Sequence, residues 1–95
     1  MSDFFNLKIY TPEEILFDGT VEYLSATNSS GEFGILPGHT LFSSDITAGD
    51  FKIKSKDGTE KKFNNGTGAI SVKSDQVTLT LESGNLIAWL LVIII

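Results

Sequence analysis

His39 is the only histidine and cysteine is absent, which limits at once the chemistry these 95 residues can perform. Without thiols there is no disulfide framework, no thiolate zinc site and no cysteine nucleophile. A lone imidazole can hold a hydrogen bond or meet a partner, but it cannot assemble a metal centre. Ten serines are spread along the chain, so a Ser near His39 would carry no information about a catalytic triad. Glu13-Glu14 has the residue types of an acid–base pair. Neighbours on a strand point to opposite faces, however, so the two are read as a solvated pair. No catalytic, cofactor-binding or metal-binding residue is expected.

The densest stretch is Ser29-Ser30-Gly31-Glu32-Phe33-Gly34-Ile35-Leu36-Pro37-Gly38-His39-Thr40. Gly31 and Gly34 open backbone angles closed to other residues, and Pro37 presets φ for a turn at Gly38. Phe33, Ile35 and Leu36 supply apolar anchors, so the segment is expected to bend tightly while staying tied to a core. It is no phosphate loop, because no Lys-Ser or Lys-Thr follows Gly38 and the glycine spacing fits neither nucleotide fingerprint.

The elements that must carry this segment are strands. Turn signals recur at Asp18-Gly19, Asn28–Gly31, Pro37-Gly38, Ala48-Gly49, Asp57-Gly58, Asn64–Gly66, Ser74-Asp75 and Ser83–Asn85. Spacings of about 8–12 residues between such signals suit an all-β sandwich or barrel. Between them the chain alternates with period two: Phe5, Leu7 and Ile9; Phe51 and Ile53; Val77, Leu79 and Leu81, each interleaved with polar residues. Phe51–Lys56 and Thr59–Phe63 flank Asp57-Gly58, which predicts a hairpin with a type I′ turn. No 3.6-residue apolar period runs for ten positions before Ser83.

A chain of 95 residues with 41% hydrophobic and 20% charged residues is one folded domain rather than a disordered segment. Seven Lys, no Arg and 12 acids leave a net charge of −5, which argues against nucleic acid as a partner. Residues 1–50 carry eight acids and one Lys, net −7, while residues 51–95 carry four acids and six Lys, net +2. The asymmetry is that of solvated strand faces, or of an acidic surface that meets a basic partner. Met1–Phe5 lacks the basic start and apolar stretch of a signal peptide, which predicts a cytosolic location.

The segment Gly31-Glu32-Phe33-Gly34-Ile35-Leu36-Pro37-Gly38-His39 resembles the signature of the epsilon subunit of F-type ATP synthases. Four further blocks resemble that family in order and spacing: Phe5–Glu13, Leu16–Glu22, Ile46–Gly49 and Gly66–Val72. Thr40-Leu41 stands where the family often has Ala-Pro, and Thr67 interrupts its paired glycines. The family's two-helix domain, rich in Ala, Arg and Glu, has no match here. It carries inhibition of ATP hydrolysis and, in some members, ATP binding, so neither is expected of these residues.

The resemblance implies a two-sheet antiparallel β-sandwich of about ten short strands over residues 1–84, followed by an apolar tail over 85–95. It implies a non-catalytic subunit of the central stalk that couples gamma to the membrane c-ring during ATP synthesis, without cofactor, metal or tightly bound ATP. Its place would be the cytoplasmic face of a bacterial plasma membrane, peripheral to the bilayer. Gly31, Glu32, Phe33, Gly34 and His39 are the partner-binding residues it implies, Glu32 towards the basic polar loops of the ring and His39 near gamma. The alternative of another class is a free-standing β-sandwich module for a peptide or glycan, whose signature is a cluster of exposed aromatics.

Leu86–Ile95 is an unbroken apolar run of ten residues. A helical crossing of a bilayer needs about 20, and a lone strand cannot satisfy its backbone in lipid. The run is expected to dock on the sandwich as a short terminal element with Trp89 packed against it. Self-association and contact with a partner or membrane surface are the other fates. Val92–Ile95 favours a strand, while Ala88–Leu91 would tolerate a helical turn.

Overall fold

The structure, a computed structural model, describes residues 3–38 and 41–91, with side chains through Ala88. Nine strands are present among them: β1 (Phe5–Tyr10), β2 (Ile15–Asn28), β3 (Gly31–Ile35), β4 (Phe42–Ile46), β5 (Gly49–Ser55), β6 (Thr59–Asn65), β7 (Gly68–Lys73), β8 (Gln76–Leu81) and β9 (Gly84–Leu91). The all-β sandwich expected from the residues is what the chain forms, with nine described strands rather than about ten. No described helix is long and apolar enough to cross a membrane.

Period-two patterning explains most of the strands. In β1, Phe5, Leu7 and Ile9 are buried while Asn6 and Lys8 face water, and in β8 Val77, Leu79 and Leu81 are buried. These residues meet Leu24, Ala26, Ile35, Ile46, Phe51, Ile53, Phe63, Ile70 and Val72 in a single core. A stiff body follows from that close packing between cross-bonded layers.

The hydrogen-bonded order is β4-β7-β8-β1-β2-β5-β6-β9, with β3 attached to β2. The 14-residue β2 serves both layers. Its first half, to Val21, pairs with β1, and beyond a bulge between Val21 and Tyr23 it pairs with β5 and β3. A bulge bends a strand and adds twist, so one long strand can turn the corner from one layer to the other. The pairing is not wholly antiparallel: β1 and β8 run parallel, from Asn6 opposite Gln76 to Tyr10 opposite Thr80. The two strands are remote in sequence, so no hairpin constrains their direction.

One turn differs from its sequence reading. Lys54 pairs with Glu60, which leaves a three-residue loop, Lys56-Asp57-Gly58, between Ser55 and Thr59. Only Gly58 in it has positive φ, +88°, and its N–H donates to the Ser55 carbonyl at 2.9 Å. This is a type I turn closed by a left-handed glycine, not type I′. Asp57 caps it by accepting the Thr59 N–H at 2.9 Å. That bond, with the Thr59 hydroxyl, holds the Asp57 carboxyl below its ordinary value of 3.8. The stability this contributes is complete above the ordinary value and is lost as pH falls through the lowered one.

The type I′ geometry occurs instead at Ser74-Asp75, where both central residues have positive φ, +48° and +61°, and Lys73 pairs with Gln76. Asp75 justifies its conformation by its partners. Its carbonyl accepts the Asn6 N–H at 2.9 Å and its Oδ1 accepts the Gly38 N–H at 3.0 Å. Ser74 has no such role among the described contacts. Ser74→Gly is therefore expected to stabilise the protein by about 0.5 kcal/mol, the left-handed penalty relieved less the freedom glycine adds to the unfolded chain. A urea titration of both proteins measures it.

Residues 84–91 form a bulged strand along the free edge of β6, from Gly84 opposite Asn65 to Leu91 opposite Thr59. Ala88–Leu91 is thus strand and not a helical turn. Ile87 is the extra residue of the bulge, opposite the step from Lys62 to Phe63, and Leu86 and Ile87 remain about half exposed. The packing of Trp89 and the course of Val92–Ile95 lie outside the described residues.

Candidate partner-binding site

The Gly31–Gly38 segment begins as the second strand of a tight hairpin. Asn28 pairs with Gly31, and the Asn28 side chain turns the chain by accepting the Ser30 N–H at 2.8 Å. Gly31 then takes φ +120°, with open space where a Cβ would stand. Its need for glycine is therefore conformational and not steric.

Alternation along β3 splits the predicted residues between two faces. Glu32 and Gly34 point outwards, opposite Thr27 and Ser25 of β2. Phe33 points inwards, half-buried, and its ring meets Phe42 of β4 at 5.6 Å and 58°. Phe33 thus anchors the hairpin to the core while its neighbours present it. At Gly34 a Cβ would come within 3.2 Å of the Tyr23 ring, which lies across the strand there. Ile35 is buried, and beyond it Leu36 and Leu41 are exposed at 58% and 78%. The Gly38–Asp75 bond ties the start of that loop to the β7–β8 turn. His39 lies outside the described residues.

Glu32 is exposed but not unheld. The Ser25 hydroxyl, itself buried, donates to Glu32 Oε1 at 2.9 Å. The carboxylate therefore lies over the outer face of the sheet, at the rim of a shallow groove of about 500 Å³. Ser25, Thr27, Asp50, Lys52, Glu60, Lys62 and Ala88 also line it, and the buried Phe51 is the one aromatic among its described residues. Charges of both signs alternate across it, and Lys62 Nζ stands 3.7 Å from Asp50 Oδ2. An exposed pair of this kind contributes little to stability. The sequence reading missed Ser25, Lys52, Asp50 and Lys62 as neighbours of Glu32. Alternation placed Lys52 outwards, but only the β2–β5–β6 register brings the four side by side.

Glu13 and Glu14 occupy the β1–β2 turn rather than a strand. There the Thr11 N–H donates to the Glu14 carbonyl at 2.9 Å and both acids face water. No group of His, Cys, Asp or Glu able to hold a metal occurs among the described residues. The hairpin presents one carboxylate, that of Glu32, on its exposed face.

Residues 4–84 match the family described as "ATP synthase, Delta/Epsilon chain, beta-sandwich domain". The ATP synthase epsilon chain of Ruminococcus albus is 37% identical over 79 residues, covering 83% of this chain and 58% of that protein. The epsilon chain of Clostridium novyi is 31% identical over 83 residues, covering 87% of this chain and 63% of its own. The chain thus spans about 60% of the length of these relatives. Among solved structures, a chain of the Euglena gracilis mitochondrial ATP synthase, solved as OSCP, F1 and c-ring, superposes with a TM-score of 0.85 at 16% identity, covering 90% of this chain and 55% of that one. A chain from the central stalk and c-ring of the Tetrahymena thermophila enzyme gives 0.69 at 17% identity, covering 84% of this chain and 64% of its own. At such identity these structures speak for the fold, while the family match and the bacterial relatives speak for descent: the chain belongs to the ATP synthase delta/epsilon family, of which it holds the β-sandwich domain.

Proposed function

We propose that this protein is a non-catalytic rotor subunit of a proton-translocating F-type ATP synthase, peripheral to the membrane on its cytoplasmic face. It sits at the foot of gamma and couples it to the c-ring during ATP synthesis. The observation that carries this reading is the Gly31–Gly38 segment, whose signature residues form an exposed hairpin at one end of a rigid sandwich. A coupling element must transmit force without yielding, and a close-packed sandwich does so. The c-ring face is assigned to Gly31, Glu32 and Gly34, and the gamma face to the loop that holds His39, with Phe33 supporting both from within. Neither ATP hydrolysis nor useful ATP binding belongs to these residues.

Glu32 supplies electrostatic complementarity to a basic loop, which governs register and encounter. Glu32→Lys is expected to weaken assembly onto the rotor about tenfold, equivalent to about 1.4 kcal/mol, and to lower ATP-driven proton pumping. The fold should stay intact, because the side chain is exposed and its loss removes one hydrogen bond. Titration of the variant onto epsilon-depleted enzyme, with pumping measured in reconstituted vesicles, tests the assignment. Wild-type affinity and pumping would show that Glu32 is not at the interface. A peptide- or glycan-binding site would use exposed aromatics, and among its described residues the groove offers only the buried Phe51.

A further inference from the structure

The hairpin that carries Glu32 overhangs its own sheet. Pairing of β2 with β1 ends at Val21 and with β5 at Ser25. From Ala26 to Asn28, β2 is paired in the sheet only with β3. A two-stranded ribbon alone is marginally stable in water. Here the missing third strand is replaced by contacts from β4, which lies at the far end of the sheet path, and from Thr47 just after it.

Asp45 of β4 makes the central contacts. Its Oδ2 accepts the Ser29 N–H at 3.2 Å and its Oδ1 accepts the Ser29 hydroxyl at 3.4 Å. Beside it, Asn28 Nδ2 donates to Ser44 Oγ at 3.0 Å, and the Ser44 hydroxyl donates to the Asp45 carbonyl at 2.9 Å. Below, the Thr47 N–H and hydroxyl both reach the Thr27 carbonyl, at 3.0 and 3.3 Å. The turn is thus tied to the opposite layer at the residues just before Gly31 and Glu32. Of these contacts, those of Asp45 alone carry a formal charge, and charge-assisted bonds are the stronger kind.

We propose that Asp45 is the positioning residue of this end: it clamps the β2–β3 overhang to the second layer and so fixes where Glu32 meets a basic partner surface. The clamp passes load from the hairpin into both layers of the sandwich. This rests on the reading of Glu32 as an interface residue, but the geometry of the clamp does not.

Two variants of the full chain test it. Asp45→Ala is expected to raise amide exchange at residues 28–33 about tenfold while the amides of Leu7 and Leu79 keep their rates. Asp45→Asn, which keeps an acceptor for the Ser29 N–H, should stay within about threefold of wild type. On epsilon-depleted enzyme, Asp45→Ala should lower affinity about fivefold, and should lower it no further in a Glu32→Gln background. Unchanged exchange at the hairpin would overturn the proposal, as would an equal rise across all strands. Equal losses of affinity with and without the Glu32 carboxylate would also sink it. Failure of the Glu32 reading shows separately, as a Glu32→Gln variant that assembles normally. The exchange measurement then decides alone whether Asp45 holds the hairpin.

Discussion

Replacing Gly68 by Ala should cost about 3–5 kcal/mol, a large share of the roughly 5–14 kcal/mol expected for a domain of this size. Gly68 lies in β7 opposite Leu81 of β8. A Cβ built there would overlap the Thr80 carbonyl oxygen and stand 3.0 Å from the Leu81 Cα. Because the obstacle is backbone, no rotamer change relieves it. The two strands must part, and β8 is also the strand on which β1 pairs. Overpacking alone costs about 1–3 kcal/mol, and broken ladder bonds between buried strands add to it. Guanidinium unfolding should show the midpoint shifted down at unchanged slope. A loss below about 1 kcal/mol would mean that β7 and β8 do not approach as described. By contrast, a Cβ at Gly49 meets nothing, which makes Gly49→Ala a fitting control.

Phe63→Ala is the second large loss, about 3–5 kcal/mol. Phe63 and Phe51 are cross-strand partners in β6 and β5 whose rings stack at 4.7 Å and 4°. Both are buried, so truncation leaves a cavity in the middle of one layer. Phe63 also stands opposite Leu86, hence its loss should free β9 from the sheet before the rest unfolds. Amide exchange in β9 should accelerate more than in β1 or β8. The double variant with Phe51→Ala should lose less than the sum of the two single losses, by about 0.5–1.5 kcal/mol, because the aromatic pair can be broken only once. Strict additivity would show that the stack contributes nothing beyond burial.

What the sequence determined by itself was the content of the strands and the identity of the signature segment. Phe5, Leu7 and Ile9, or Val77, Leu79 and Leu81, declare a buried face by alternation alone, because side-chain direction in a strand has period two. Most of the turn signals fell at turns, but Asp18-Gly19 did not: both residues lie within β2, paired with Lys8 and Leu7. The Gly31–His39 signature pointed to the family that residues 4–84 match. Alternation failed where a strand is covered on both sides. Leu24, Ser25 and Ala26 are buried in succession, with the Glu32 side chain lying over Ser25 on the face that should be wet. Turn residues likewise marked positions but not types: Asp-Gly at 57–58 became a type I turn, and the less suggestive Ser74-Asp75 took the type I′ geometry.

Only the tertiary structure decided which strands are neighbours, and the site depends on that. Parallel pairing of β1 with β8, the turn of β2 between layers and the addition of β9 to β6 all join residues far apart in the chain. No local preference encodes such pairings, since they follow from which faces can be buried together. The partners of the hairpin are of the same kind. Asp45 reaches Ser29 from 16 residues away, and neither residue type announces it. A Ser and an Asp read as loop residues in isolation, and they become a clamp because the core folds β4 over the β2–β3 overhang.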